Sequence, residues 1–238
     1  MIDLPSLTVT PRPFAHAVNP AFLPAELYAA LATSFPTCPP IGGPTGFSYF
    51  RGDPVYDELV THNEAWRLLF TNLHSQSFVD YCVGQFTDSF AADGCLLDTA
   101  TLRYLDHFES RADKAKRSVE FGNRTPEDLW VRVDILQGRI GYRREPHLDH
   151  RRRLLTVLIY FCDAQEIGMQ GGDLILNERL AGGEFADLEA IAPRHNLMIA
   201  FPCSARSYHS VSLIHSQRAP RNFVQVTISS PVDAWSSD

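Results

Sequence analysis

The chain has 238 residues, 45% of them apolar and 11% aromatic, with a formal net charge of −7 at neutral pH. That composition excludes a disordered chain. The length suits one large domain that buries roughly 70% of its unfolded surface. The acidic balance argues against nucleic acid or an anionic membrane as the main partner, while leaving room for a local basic pocket.

The N-terminal MIDLPSLTVT has no early positive charge and no apolar leader segment, and no run long enough to span a membrane follows. A soluble, cytoplasmic protein is therefore expected. Cys38, Cys82, Cys95, Cys162 and Cys203 are widely spaced, odd in number and form no CxxC pair, so they read as free thiols. Pro24 opens PAELYAALATSF, in which Leu27, Ala30, Leu31 and Phe35 recur at helical spacing. Residues 37–54, TCPPIGGPTGFSYFRGDP, are rich in Pro and Gly and read as a loop. Two helices are expected over 64–75 and 77–90. The charged stretch 108–128 reads as a solvated segment, with a cover over an active site as its functional alternative.

From Trp130 the texture changes to short β-rich runs: WVRVDIL, GYRREPHLD, RLLTVLIYFC, GDLILN, NLMIAFP, SYHSV and NFVQVTIS. Seven such runs separated by turn signals argue for a sandwich or barrel. Side chains alternate across a strand, so phase sorts them. Leu154, Thr156, Leu158 and Tyr160 fall on one face, opposite Leu155, Val157, Ile159 and Phe161. Arg221, Phe223, Gln225 and Thr227 oppose Asn222, Val224, Val226 and Ile228, and Arg132 and Asp134 oppose Val131, Val133 and Ile135. One dry face and one polar face per strand fit a barrel with a functional interior, and equally a sheet with one wet side.

The chemistry sits in PHLDH. His147 and Asp149 are two apart, so on a strand both point to the same face. An imidazole beside a carboxylate takes two adjacent metal positions, and a second imidazole, such as that of His209 in YHSV, completes one face of an octahedron. This two-His-one-carboxylate set suits non-heme Fe(II) and oxygen chemistry. An HxD alone is a weak signal; the ordered GGDL, the NLMIAFP strand and YHSV that follow strengthen it.

The runs GYRREPHLDHRRRLLTVLIYF, GGDLIL, PRHNLMIAFP, YHSV and PRNFVQVTIS resemble the prolyl-4-hydroxylase-like branch of the 2-oxoglutarate/Fe(II) oxygenases over roughly residues 130–230. PFAHAVNPAFLPAELYAAL is similar to that family's opening strand-helix unit. The resemblance implies an α+β fold with a mainly β core: a double-stranded β-helix (a jelly-roll, cupin-like barrel) backed by N-terminal helices. A single domain is expected, with 1–128 as support and 129–232 as the catalytic core. The resemblance further implies Fe(II) on His147, Asp149 and His209, with 2-oxoglutarate and O2 as cosubstrates. Arg221 matches the family's anchor for the 2-oxoglutarate C5 carboxylate, with Arg218 the competing position. Tyr160 matches a tyrosine bonded to the same carboxylate, and Thr156 lies on its face. A guanidinium suits that role because two parallel N–H donors meet two oxygens.

Phase places Arg132 and Arg143 as substrate contacts. His150 and Arg151–Arg153 read as a solvated turn, with an anion-binding cluster as the alternative, and Asp173 as a residue holding its own turn. The implied reaction couples decarboxylation of 2-oxoglutarate to oxidation of an unactivated C–H, normally hydroxylation, with desaturation or ring closure as further outcomes. In related halogenases the carboxylate ligand is missing; Asp149 disfavours that chemistry. Three functions remain open at this stage: an oxygenase of a small molecule, a hydroxylase of protein residues, and a non-catalytic binding barrel. The short acidic chain favours the first.

Overall fold

The computed structural model describes residues 2–39, 46–109 and 125–236. Most of the charged stretch 108–128 therefore lies outside the described residues. Five helices and twelve strands are formed among those described. The opening strands β1 (Val9–Thr10) and β2 (His16–Asn19) precede α1 (Ala25–Thr33). Next come β3 (Gly46–Tyr49), α2 (Pro54–His62), α3 (Glu64–Leu73), α4 (Gln76–Gln85), α5 (Thr87–Ala92) and β4 (Arg103–Tyr104). The C-terminal half holds β5 (Asp128–Gly138), β6 (Arg144–His147), β7 (Arg153–Tyr160) and β8 (Leu174–Arg179). It ends with β9 (Phe185–Ile191), β10 (Met198–Pro202), β11 (His209–Val211) and β12 (Arg221–Ser229).

The large sheet has the order β1-β2-β10-β7-β12-β5-β3, with β4 parallel to β5; the small sheet runs β6-β11-β8-β9. The expected mainly β jelly-roll with helical backing is what the chain adopts. Phase governs which face each strand buries. Leu155, Val157, Ile159, Val224, Val226, Ile228, Val131, Val133 and Ile135 face the helices in one apolar core. Leu158, Tyr160 and Phe223 face the small sheet, where they meet Leu174, Leu176 and Ile191 in a second core.

The helical layer is set by caps and spacing. Asn63 accepts hydrogen bonds from the backbone N–H groups of Ala65 and Trp66, opening α3, whose Trp66, Leu69, Phe70 and Leu73 are buried at i, i+3, i+4 and i+7. Ser75 caps α4 through the Phe78 N–H, and Phe78, Val79, Cys82 and Val83 form its buried face.

Three readings need correction. The segment expected to be one helix over 77–90 is two, because Phe86 leaves helical geometry at φ −121° while burying its ring. The loop expected over 37–54 contains β3, and Pro54 begins α2 at a position where its missing N–H costs nothing. Arg152 is buried and Arg153 half-buried, unlike a solvated turn, because each meets a buried acid. Arg152 pairs with Glu109 at 3.0 Å and Arg153 with Asp149.

Ile159 is fully buried on the dry face of β7, between β10 and β12. Ile159→Ala is expected to lower unfolding free energy by about 2–5 kcal/mol in urea titration, the usual cost of an unfilled core site. A loss under about 1 kcal/mol would mean that the layer is not packed as described.

Candidate metal centre and cosubstrate pocket

His147 ends β6 and His209 begins β11, and the two residues are direct cross-strand partners. Their ring centroids lie 4.4 Å apart. Asp149 follows two residues after His147, and one donor atom from each of the three groups lies within 4.8 Å of the others. Both imidazoles are fixed by their own backbone: Nδ1 of His147 is 2.8 Å from the Glu145 carbonyl and Nδ1 of His209 is 3.0 Å from that of Ser207. A carbonyl only accepts, so each Nδ1 carries the proton and each Nε2 keeps its lone pair for a metal.

Asp149 is also fixed. Thr156 donates to Oδ2 at 2.6 Å, Arg153 donates to Oδ1, and the Cys203 thiol lies 3.7 Å from Oδ2. Burial pushes the Asp149 pKa up, but Arg153, His209 and the Thr156 hydrogen bond outweigh it and hold the carboxyl well below the usual range. Burial, with the neighbouring His209 ring, lowers His147 to about 4. The centre thus offers one ionised carboxylate and two imidazoles whose Nδ1 atoms are held by the backbone, a donor set that fits a divalent metal.

The centre opens into a cavity of about 500 Å³. Arg221 lies on its wall, fully buried, and donates through Nε to the Gly172 carbonyl and through Nη2 to the Tyr160 hydroxyl, both at 2.7 Å. Phe223 flanks the guanidinium at 4.6 Å. The GGDL turn presents that carbonyl: Gly171 and Gly172 both have positive φ, and a Cβ on Gly171 would stand 1.9 Å from the Leu213 carbonyl oxygen.

The sequence-predicted residues distribute unevenly about this cavity. His147, Asp149, His209, Arg221, Thr156 and Arg143 line it. Arg218 does not; its guanidinium packs on Gly168 and bonds the Glu166 carbonyl. Tyr160 is buried behind Arg221, so it orients the guanidinium and is not part of the wall. Thr156 spends its hydroxyl on Asp149, at the metal end, four residues along β7 from Tyr160. Arg132 lies off the wall as well: it stacks on Phe50, grips Asp134 through Nε at 2.8 Å and 3.1 Å, and reaches Glu109 at 3.7 Å. Arg143 stays at the rim in an exposed pair with Glu145. Arg144 and Arg153 line the cavity too, and neither was singled out by phase. Arg153 carries a signal in retrospect, four residues after a carboxylate.

Residues 133–227 match the family model described as the 2OG-Fe(II) oxygenase superfamily. The fold is shared with a Pseudomonas putida prolyl-4-hydroxylase at 16% identity and TM-score 0.51, covering 90% of this chain and 92% of that one. An oxidoreductase of the 2OG-Fe(II) oxygenase family from Burkholderia pseudomallei is similar at 12% identity and TM-score 0.54, with 93% and 88% covered. A Trichoplax adhaerens prolyl hydroxylase, solved with a hypoxia inducible factor oxygen degradation domain peptide fragment, matches at 13% identity and TM-score 0.51, with 90% and 83% covered. No curated protein sequence is significantly similar to the chain. The chain thus carries, over residues 133–227, a barrel core that matches the 2OG-Fe(II) oxygenase superfamily. It is a 2-oxoglutarate-dependent non-heme iron dioxygenase with the fold of the prolyl-4-hydroxylase-like members, and its cofactors are Fe(II), 2-oxoglutarate and O2. No helix among the described residues is long and apolar enough to cross a membrane.

Two outcomes follow. A folded-state pKa of about 4 for His147 lies below the ordinary value of about 6.5, so between them the unfolded chain takes a proton that the folded chain refuses. The metal-free protein should therefore lose thermal stability as pH falls through that window, and His147→Gln should lose less; equal slopes would refute it. Arg221→Gln should raise the KM for 2-oxoglutarate about 10- to 100-fold, matching the roughly 1.5–3 kcal/mol of a charge-assisted hydrogen bond. Arg218→Gln should leave that KM within twofold.

Proposed function

We propose that the enzyme hydroxylates an unactivated C–H bond of a small molecule (an amino acid, a sugar derivative or a biosynthetic intermediate), releasing succinate and CO2. His147, Asp149 and His209 would hold the iron, within a catalytic core over residues 129–232 supported by 1–128. The observation that carries the reading is one cavity of about 500 Å³ shared by all three of those side chains and Arg221. That volume is of the size that small-molecule sites occupy, roughly 300–1,000 Å³.

Iron bound there supplies the O2 activation that oxidative decarboxylation of 2-oxoglutarate requires. The rest is the chain's own work. Arg221 would receive the C5 carboxylate with the N–H groups left after its bonds to Gly172 and Tyr160. Phe201, 4.9 Å from the His209 ring, and Phe223 make a dry wall around the reacting end. Arg153 and Thr156 hold the Asp149 carboxylate in one orientation, so the ligand set is preorganised.

A second reading, hydroxylation of protein residues, is favoured by the likeness to solved structures described as prolyl hydroxylases, one of them bound to a peptide fragment. Purified protein with Fe(II) and 2-oxoglutarate, offered amino acids and sugar derivatives on one side and prolyl peptides on the other, separates the two by which set raises succinate release. His147→Ala is expected to abolish it. Stimulation by peptides alone would sink the small-molecule reading, and an undiminished His147→Ala would sink the assigned metal site.

A further inference from the structure

Among the described residues the cavity holds four guanidinium groups, and three of them are spoken for. Arg153 binds Asp149, Arg221 binds Gly172 and Tyr160, and Arg143 is 3.1 Å from Glu145. Arg144 has no hydrogen-bond or acid partner among the described residues. The acids of the wall do not balance it: Asp134 is gripped by Arg132, and Asp149 belongs to the metal centre.

Its direction has a structural cause. Simple alternation along β6 would send Arg144 away from the face that carries His147, since the two are three residues apart. The pairing with β11 is irregular at this point: His209 opposes His147, yet Val211, only two residues on, opposes Arg144. Three residues of β6 are therefore set against two of β11, a bulge, and a bulge re-aims the side chain next to it. Both Arg144 and His147 consequently line the same cavity. Phe47, Phe50 and Tyr142 line the cavity too and offer apolar surface, while Gln225 adds an amide.

We propose that Arg144 is the substrate anchor and that the substrate is a small molecule bearing a carboxylate, with its apolar part against Phe47, Phe50 and Tyr142. This rests on the small-molecule reading above. A planar guanidinium takes a carboxylate by two parallel N–H donors, and nothing else on this wall among the described residues supplies that acid. The metal centre and the Arg144 anchor then lie at two ends of one molecule, so the anchor selects which C–H is presented.

The test pairs acids with their amides. Wild type with Fe(II) and 2-oxoglutarate is offered the twenty L-amino acids, their carboxamides, neutral sugars and C-amidated prolyl peptides, with succinate as the readout. At least one acid is expected to stimulate, its carboxamide at least tenfold less. Arg144→Gln should raise the KM for that acid at least tenfold and erase the acid–amide difference, with Arg144→Lys restoring part of it, while the KM for 2-oxoglutarate moves less than twofold. Arg144 is exposed, so the variants should fold, and circular dichroism checks this. Equal stimulation by acid and amide, no stimulation by any acid, or an acid preference that survives in Arg144→Gln overturns the proposal. So does an Arg144→Gln effect confined to 2-oxoglutarate. Stimulation by a neutral sugar alone overturns it while the small-molecule reading stands; stimulation by peptides alone removes both.

Discussion

The pairing of β6 with β11 holds the candidate metal centre together, because it places His147 opposite His209. Registers are discrete: a slip by one residue sends each side chain of a strand to the other face. The two imidazoles meet across the ladder only at this setting, and Asp149 reaches them only because the chain leaves β6 two residues earlier. What fixes the register is the far side of β11, where His209, Ser210 and Val211 pair with Leu176, Ile175 and Leu174 of β8. Leu174 and Leu176 are buried in the core between the sheets, so the small sheet cannot slide without exposing them. Apolar burial on one strand thereby sets the ligand geometry on another.

Behind the metal centre the structure carries charge where most cores carry hydrocarbon. Arg132, Asp134, Glu109 and Arg152 are all buried, joined by contacts of 2.8 to 3.7 Å, and Trp130 lies beneath the Arg152 guanidinium. Such pairs add little net stability over well-packed apolar residues, but removal of one partner strands the other and costs roughly 3–5 kcal/mol. The cluster fixes Asp134 on the cavity wall. Arg153 stands in the same relation to Asp149. The carboxylate that would bind metal is already charged and already aimed, and it owes that to residues that touch no metal.

Much of this was legible from alternation. The faces of β5, β7 and β12 followed from phase because each is sandwiched, with dry residues toward the helices and mixed ones toward the cavity. HxD followed by a distant His named the three donors that the fold brings together. Illegible features share a cause: they depend on contacts that alternation along one strand does not encode. β9 lies at the sheet edge, with Leu188 and Phe185 exposed, so it has no dry face to announce it. Arg152 and Arg153 look like a solvated run until Glu109 and Asp149 are folded against them. Arg143 was in phase with His147 and Arg144 was not, yet both line the cavity; the bulge brings Arg144 round, and no spacing rule encodes a bulge whose other half is in β11. Thr156 and Tyr160 share a face, as phase requires, yet four residues of strand separate their roles, roughly 13 Å at the usual rise.

The backbone carbonyl of Gly172 has a further meaning. It is the group that aims Arg221, and it belongs to a turn with no room for a side chain at Gly171. A carbonyl cannot be substituted away. Part of the aim of Arg221, the proposed cosubstrate anchor, is thus set by the main chain, whereas the mouth, with Phe47, Tyr142, Arg143 and Arg144, is written in side chains. Substitution at the mouth leaves that carbonyl in place. A lineage, or a laboratory, could recut the mouth for a different molecule while this support for Arg221 stays as it is.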